Sequence, residues 1–276
     1  MKGFGYLLKN FFTHKDFIAE DVQAGLVPGT LFTPLHFIFS AFVLAVVIVL
    51  AVLLGKKKDE KKTKTVFTAV WAAAVVLELV KIVWESVSGR EIGFETGGIL
   101  PLYPCSVFMY AMPFAIWGKG YVKKAACGYV CTIGFIGASV NFFYPATILP
   151  NYSCISFAGF HTFFYHGAMM FCCLVMLVSG YHRYTHVKKW WEPFLAAIPL
   201  LIVSIPANIV NFSPINSDYM FFKCYMEPFA SIFGSLDDWL TTIIFYVGYT
   251  VIPAAFYFPS FIAQKIKIAK NKADEI

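Results

Sequence analysis

The chain has 276 residues, of which 59% are hydrophobic and only 14% are charged. Soluble domains are about 45–50% apolar and about 25% charged, so this composition excludes an ordinary soluble enzyme and a disordered chain. The formal net charge of +6 does not indicate binding to nucleic acid, because the Lys and Arg residues form short runs between apolar stretches, as they do in loops of membrane proteins. We therefore expect an all-α integral membrane protein.

Residues 1–34 precede the first long apolar stretch and combine aromatic side chains with scattered charges, as in MKGFGYLLKNFFTHKDFIAED. The segment has neither the uninterrupted apolar run nor the small-residue cleavage site of a signal peptide. We expect an amphipathic segment at the membrane interface, with a disordered tail as the alternative.

A helix needs about 20 mostly apolar residues to cross the hydrocarbon core of a bilayer. Seven stretches have this character, which predicts a seven-helix transmembrane domain over residues 35–264 and a basic tail over residues 265–276. The seven stretches cover residues 35–54, 66–84, 100–117, 125–143, 155–178, 193–210 and 239–262.

The loops between these stretches alternate in charge. Most of the 22 Lys and Arg residues lie in KKKDEKKTK, KGYVKK, HRYTHVKK and KIKIAKNK, which are alternate loops and the C-terminal tail. Basic loops stay in the cytoplasm, so this distribution predicts a cytoplasmic C-terminus and an N-terminus outside.

The second stretch carries Glu78 and Lys81 in LELVKIVWES, three residues apart and therefore on one helix face. An ionisable group near the centre of a span costs at least about 2.5–3.5 kcal/mol, so each such group needs a partner or a function. Two interpretations of these residues are open: an ion pair that joins neighbouring helices, and a part in a functional site.

The third stretch opens with LPLYPCS, in which Pro101 and Pro104 suit the first turn of a helix. Cys105 would then lie at a helix N-terminus, whose partial positive charge favours a thiolate. A buried cysteine that only fills space is the alternative.

The fifth stretch, GFHTFFYHGAMM, supplies His161 and His166, and Asn141, Asn208 and Asn211 lie near the outer ends of the fourth and sixth stretches. His166 is about ten residues into its span, too deep to reach the headgroups, so we favour it over His161 as a general base. Intramembrane Asn residues also serve as links between helices.

All of these groups fall in the outer half of the bilayer under the orientation given above. We therefore expect a polar chamber open to the outer leaflet, with Cys105 and His166 as the catalytic residues. The supporting residues would be Glu78, Lys81, Tyr103, Asn141, His161, Asn208 and Asn211.

Four segments, LFTPLHF, LELVKIVW, ILPLYPCS and FFYHGAMM, resemble the YwaF family of bacterial integral membrane proteins. An animal branch of that family is regarded as a transmembrane phospholipid acyltransferase that works through an acylated cysteine. The resemblance implies a bacterial cell membrane, Cys105 as the acyl acceptor and His166 as its base. Bacterial relatives tend to carry a second His ahead of the cysteine, where this chain has Tyr103 and Pro104.

The leading interpretation is an integral membrane acyltransferase that acts on phospholipid acyl chains, with membrane lipids as partners, no metal, no soluble cofactor and no nucleic acid. A transporter or lipid-binding protein with the same outer chamber is the main alternative. A receptor-like scaffold has little support because the cytoplasmic loops are short. A zinc hydrolase has little support because no paired-ligand spacing occurs.

Two expectations concern the outer loops. Cys154 and Cys224 both fall in such loops, and we expect unpaired thiols rather than a disulfide. The loop over residues 212–238 is the longest and would cover the chamber, with Asp237 or Asp238 at the start of the last helix.

Overall fold

The computed structural model describes residues 3–90, 99–185, 187–225 and 229–274, with the backbone alone for residues 267–274. This described part is helical, with no β-strand in it. Two 3₁₀ segments, Glu192–Ala197 and Tyr219–Phe221, accompany the α-helices. The α-helices are α1 Phe4–Lys9, α2 Lys15–Gln23, α3 Pro34–Gly55, α4 Glu60–Ser88, α5 Val107–Trp117, α6 Gly120–Cys131, α7 Ile133–Phe143, α8 Phe157–Ser179, α9 Ile198–Asn211, α10 Phe229–Phe233, α11 Asp238–Ala255 and α12 Phe258–Asp274.

The long helices begin and end at residues that favour helix termini. Asp59 caps α4 by accepting a hydrogen bond from the backbone N–H of Lys62, and Ser156 caps α8 in the same way. Such caps satisfy N–H groups that have no partner within the helix. Helix α8 ends at Gly180, whose φ of 74° lies in the left-handed region that glycine adopts without strain.

Helix α8 is the centre of the bundle and packs against α3, α4, α6 and α7. Its first turn approaches the preceding loop so closely that a Cβ on Gly159 would lie 2.3 Å from the carbonyl oxygen of Ser153. Further along, its buried face consists of small and flexible side chains such as Ala168, Met169 and Cys172. Small residues allow close packing of helices inside a membrane.

Large apolar side chains cover the outside of the bundle. Ile38 and Phe42 on α3, and Ile202 and Ile209 on α9, are all exposed. A water-soluble protein rarely exposes contiguous apolar surface on this scale. The surface is therefore suited to lipid.

The number of long spans differs from the seven expected. The described part contains five apolar helical segments long enough to cross a membrane: α3, α4, α6 with α7, α8, and the 3₁₀ segment Glu192–Ala197 with α9. There are six when α11 and the first part of α12, bent by 42°, count as one span. These six correspond to every predicted stretch except residues 100–117.

That third stretch forms only the 11-residue helix α5, about 16 Å long and about half the hydrocarbon thickness. The helix starts at Val107 instead of residue 100, because Pro101 and Pro104 lack N–H groups and disfavour helical conformation in the residues before them. Both prolines therefore precede the helix instead of forming its first turn. Cys105 lies in the irregular segment just ahead of α5.

Residues 3–33 pack on the end of the bundle where α4 finishes and α8 begins, which we call the α2 end. The indole Nε1 of Trp84 donates a 2.9 Å hydrogen bond to the carbonyl of Phe12, and Ile18 is buried beside Trp84. Phe4 and Phe17 of the same segment are exposed. The segment thus lies across the α2 end with aromatic side chains facing outward.

Candidate functional site

A cavity of about 1290 Å³ lies between the helices and reaches the α2 end. It is larger than the roughly 300–1,000 Å³ of a typical small-molecule site. Its lining comes from α2, α4, α7, α8 and α11, from residues 99–106 and from the loop after α9. Ile252, one of the lining residues, is 14 positions, or about 21 Å, from the start of α11.

The cavity changes in character along its length. Charged and polar side chains of α2, α4 and the start of α8 line it near the α2 end, and Ile133, Ile136, Ile244 and Ile252 line it deeper in the bundle. The site is therefore amphiphilic, with a polar end and an apolar extension.

Glu78 links α4 to α8 at the polar end. Its side chain is only 5% exposed, and its Oε2 lies 2.7 Å from Nε2 of His161. Lys81 Nζ lies 3.8 Å from the other carboxylate oxygen. The structure thus gives Glu78 two basic partners, Lys81 on its own helix and His161 on α8.

His166 lines the same cavity one and a half turns further along α8. Its Nδ1 lies 2.8 Å from the carbonyl oxygen of Thr162. A carbonyl oxygen only accepts hydrogen bonds, so Nδ1 carries the proton in the neutral ring and Nε2 has a lone pair. This is the tautomer that a general base at Nε2 requires.

Cys105 also lines the cavity, together with Glu78 and Lys81. The Tyr129 hydroxyl fixes its segment by donating a 2.6 Å hydrogen bond to the Pro104 carbonyl. No hydrogen bond joins the thiol to an imidazole within the described residues.

Tyr103 and Asn141 complete the predicted residues that line the cavity. The Tyr103 ring packs against Tyr219 and Phe221, at centroid distances of 5.2 and 5.6 Å. The side-chain oxygen of Asn141 is buried and makes no hydrogen bond to any residue that the structure describes.

Asn208 and Asn211 lie elsewhere. The Asn208 amide donates a 2.8 Å hydrogen bond to the Tyr246 hydroxyl, and Asn211 exchanges two hydrogen bonds with the backbone of Tyr219. Neither belongs to the described residues that line the cavity. The Asn208 amide therefore links α9 to α11, and the Asn211 amide links α9 to the loop that follows α9.

The structure adds two residues to the cavity lining that were not among the predicted site residues. Tyr165 on α8 and Ser217 in the loop after α9 are both buried and line the cavity, and neither hydroxyl has a hydrogen-bond partner in the described part of the chain. Tyr165 directly precedes His166, so its position in the motif was a usable signal. No sequence signal indicates Ser217, because a loop sequence does not show how the loop folds over the helices.

The loop over residues 212–238 contributes Asp218, Phe221 and Phe229 to the lining, and α11 starts at Asp238 with Asp237 at its N-cap. Cys154 and Cys224 are free thiols, in agreement with the expectation. In the described residues no group of three His, Cys, Asp or Glu side chains is placed to hold a metal ion.

The fold and the cavity define an all-helical, multi-pass membrane protein with an amphiphilic site between its helices. A family model matches residues 31–258, from before α3 to the start of α12, and the chain belongs to the TMEM164 family. Comparison with curated proteins finds no match, and neither does comparison with solved structures.

Proposed function

We propose that the protein is an integral membrane acyltransferase that acts on phospholipid acyl chains through Cys105 and His166. The observation that carries the proposal is the amphiphilic cavity, in which a thiol and a base-competent imidazole lie near an apolar extension. An acyl chain would occupy the apolar part and leave its ester at the polar end. The YwaF resemblance, with its acylated cysteine, supports the same chemistry.

In the proposed first half-reaction, the Cys105 proton passes to Nε2 of His166 through a water molecule in the cavity. The thiolate sulfur bonds to the ester carbonyl carbon of the donor lipid. The carbon–oxygen ester bond then breaks, and the lysolipid oxygen takes the proton from His166. The product is a thioester on Cys105.

In the second half-reaction an acceptor hydroxyl attacks the thioester carbonyl and gives its proton to His166. The carbon–sulfur bond breaks, and the thiol regains its proton from the imidazolium. Glu78 contacts His161 and Lys81 at the same end of the cavity, so its buried carboxylate has partners before substrate enters.

We propose the orientation that the basic loops indicate, with the α2 end outside and the loop at residues 56–64 in the cytoplasm. The cavity would then take lipid from the outer leaflet of a bacterial cell membrane. Helix α5 with the segment before it would complete a seven-segment bundle.

Transport is the alternative use of such a cavity, and it requires a polar route to the opposite end of the bundle. Beyond His166 the described core contains Met112, Val130, Met169 and Met176, all fully buried and all apolar. This packing favours a site open at one end over a pathway through the protein.

The test is transfer of a labelled acyl chain between lipids by the purified protein in vesicles. We expect the wild type to transfer label, and Cys105→Ala and His166→Ala to lose at least about 100-fold in rate. Cys154→Ala removes another buried thiol, outside the described cavity lining, and is the matched control. Absence of transfer by the folded wild type, or full activity of Cys105→Ala, would contradict the proposal.

A further inference from the structure

Tyrosine hydroxyls hold the segment that carries Cys105 in place. Tyr129 donates to the Pro104 carbonyl at 2.6 Å, and Tyr110 donates to the Pro101 carbonyl at 3.3 Å. The hydroxyl of a different tyrosine, Tyr165, has no hydrogen-bond partner among the residues that the structure describes, although this side chain is only 2% exposed.

A buried hydroxyl without a partner destabilises the folded state, and phenylalanine at the same position would avoid that cost. The position of Tyr165 suggests a use for the hydroxyl. The side chain lines the same cavity as Cys105 and Glu78.

Neighbouring rings fix the orientation of the Tyr165 ring. It stacks on His161 at 5.8 Å with an interplanar angle of 23°, and Phe108 meets it edge-on at 5.9 Å. The hydroxyl is therefore held in place before a ligand binds, as a donor for a transition state must be.

We propose that the Tyr165 hydroxyl is the oxyanion donor of the acyl-transfer reaction, an inference that rests on the proposed function of Cys105. When the thiolate sulfur bonds to the ester carbonyl carbon, the carbonyl electron pair moves to oxygen, and Tyr165 donates a hydrogen bond to that oxyanion. When the pair returns, the ester carbon–oxygen bond breaks and the oxyanion is lost. Tyr165 keeps its proton throughout.

The amides of Asn208 and Asn211 are engaged outside the described cavity lining. Asn208 donates to Tyr246, and Asn211 donates to the carbonyl of Tyr219. Within the described part of the chain, Tyr165 thus combines a place in the cavity that Cys105 lines with a hydroxyl that makes no hydrogen bond.

The experiment compares Tyr165→Phe with the wild type, with Tyr121→Phe as the control that removes an exposed tyrosine hydroxyl outside the described cavity lining. We expect Tyr165→Phe to lower kcat about 100-fold and to leave KM within about twofold, because an oxyanion donor acts in the transition state. Tm should stay the same or rise, since the variant removes only an unpartnered polar atom. Tyr121→Phe should stay within about threefold of the wild type in kcat.

A second readout uses binding alone. A trifluoromethyl ketone analogue of the lipid forms a tetrahedral adduct with a thiolate, whereas an ether analogue does not. Tyr165→Phe should weaken the ketone about 100-fold and leave the ether unchanged, because only the adduct carries an oxyanion.

The outcomes separate the two claims. If the wild type transfers label and Tyr165→Phe retains kcat within about threefold, or loses it together with Tm, the oxyanion assignment is wrong and the acyltransferase stands. If the folded wild type neither transfers label nor binds the ketone more tightly than the ether, the proposed function fails and the assignment fails with it.

Discussion

At the scale of single residues, the polar end of the cavity is organised by one carboxylate between two basic groups. Burying a charge is costly unless it is paired, and Glu78 meets this requirement with His161 and Lys81. The Lys81 partner follows from a three-residue spacing on one helix. The His161 partner is 83 positions away and depends on how α4 packs against α8, so no local pattern indicated it.

Replacement of Glu78 by Gln preserves the shape of the side chain and removes its charge. We expect Glu78→Gln to lower the free energy of unfolding by about 3 kcal/mol, because it leaves buried basic groups without their counter-charge. Thermal or denaturant unfolding in detergent micelles would measure the change.

Glu20→Gln, at an exposed position on α2, is the matched control and should change stability by less than about 0.5 kcal/mol. Equal stabilities of Glu78→Gln and the wild type would show that the pair is not a structural link between α4 and α8.

At the scale of elements, the helix that differs most from expectation is also the one next to the proposed nucleophile. The prolines that shorten α5 create the irregular segment on which Cys105 lies, and Tyr129 fixes that segment from α6. Hydropathy detects the apolar stretch but not its break, because Pro101 and Pro104 alter backbone conformation without lowering apolar content. A similar limit applies to the bend between α11 and α12, where Pro259 has no N–H for the carbonyl of Ala255.

The contact of α2 with the end of α4 also depends on a charged group. Asp16 accepts a 3.1 Å hydrogen bond from the backbone N–H of Arg90 and lies 3.0 Å from His14 Nδ1. The hydrogen bond from Arg90, and then the positive potential of His14, hold the pKa of the Asp16 carboxyl below its ordinary value.

A carboxyl whose pKa is lowered on folding stabilises the folded state above its ordinary pKa of about 3.9 and ceases to do so as the pH falls through the folded value. We therefore expect α2 to be docked at pH 7 and to be released below about pH 4. Fluorescence of Trp84, in a variant without the other tryptophans, would report the loss of its hydrogen bond to Phe12.

In Asp16→Asn this acid transition should disappear. An unchanged transition in that variant, or one centred well above pH 5, would mean that Asp16 does not control the docking of α2.

At the scale of the whole molecule, the sequence predicts the all-helical membrane architecture and the approximate position of six spans, because hydropathy reports directly on contact with lipid. It also predicts that Glu78, Cys105, His161 and His166 share a cavity. It does not predict that Asn211 holds a loop instead, because an amide serves equally well in a site and in a link between helices.

The orientation of the molecule can be tested by labelling with a membrane-impermeant maleimide. We expect Asn151→Cys, on the exposed loop at the α2 end, to react in intact cells, and Lys57→Cys to react only after the cells are opened. The native thiols are largely buried, so the parent protein is the control. The reverse pattern would place the cavity on the cytoplasmic side.

The most direct test of the account is whether Cys105 carries an acyl group during turnover. Purified protein would be incubated with labelled phospholipid, quenched in acid and analysed by peptide mass mapping, with Cys105→Ser as a variant that retains a weaker nucleophile. We predict a hydroxylamine-sensitive acyl group on the Cys105 peptide of the wild type, and a hydroxylamine-resistant one or none on the variant. Transfer of label by the wild type with no acyl group on Cys105, even when the acceptor is left out, would contradict the account.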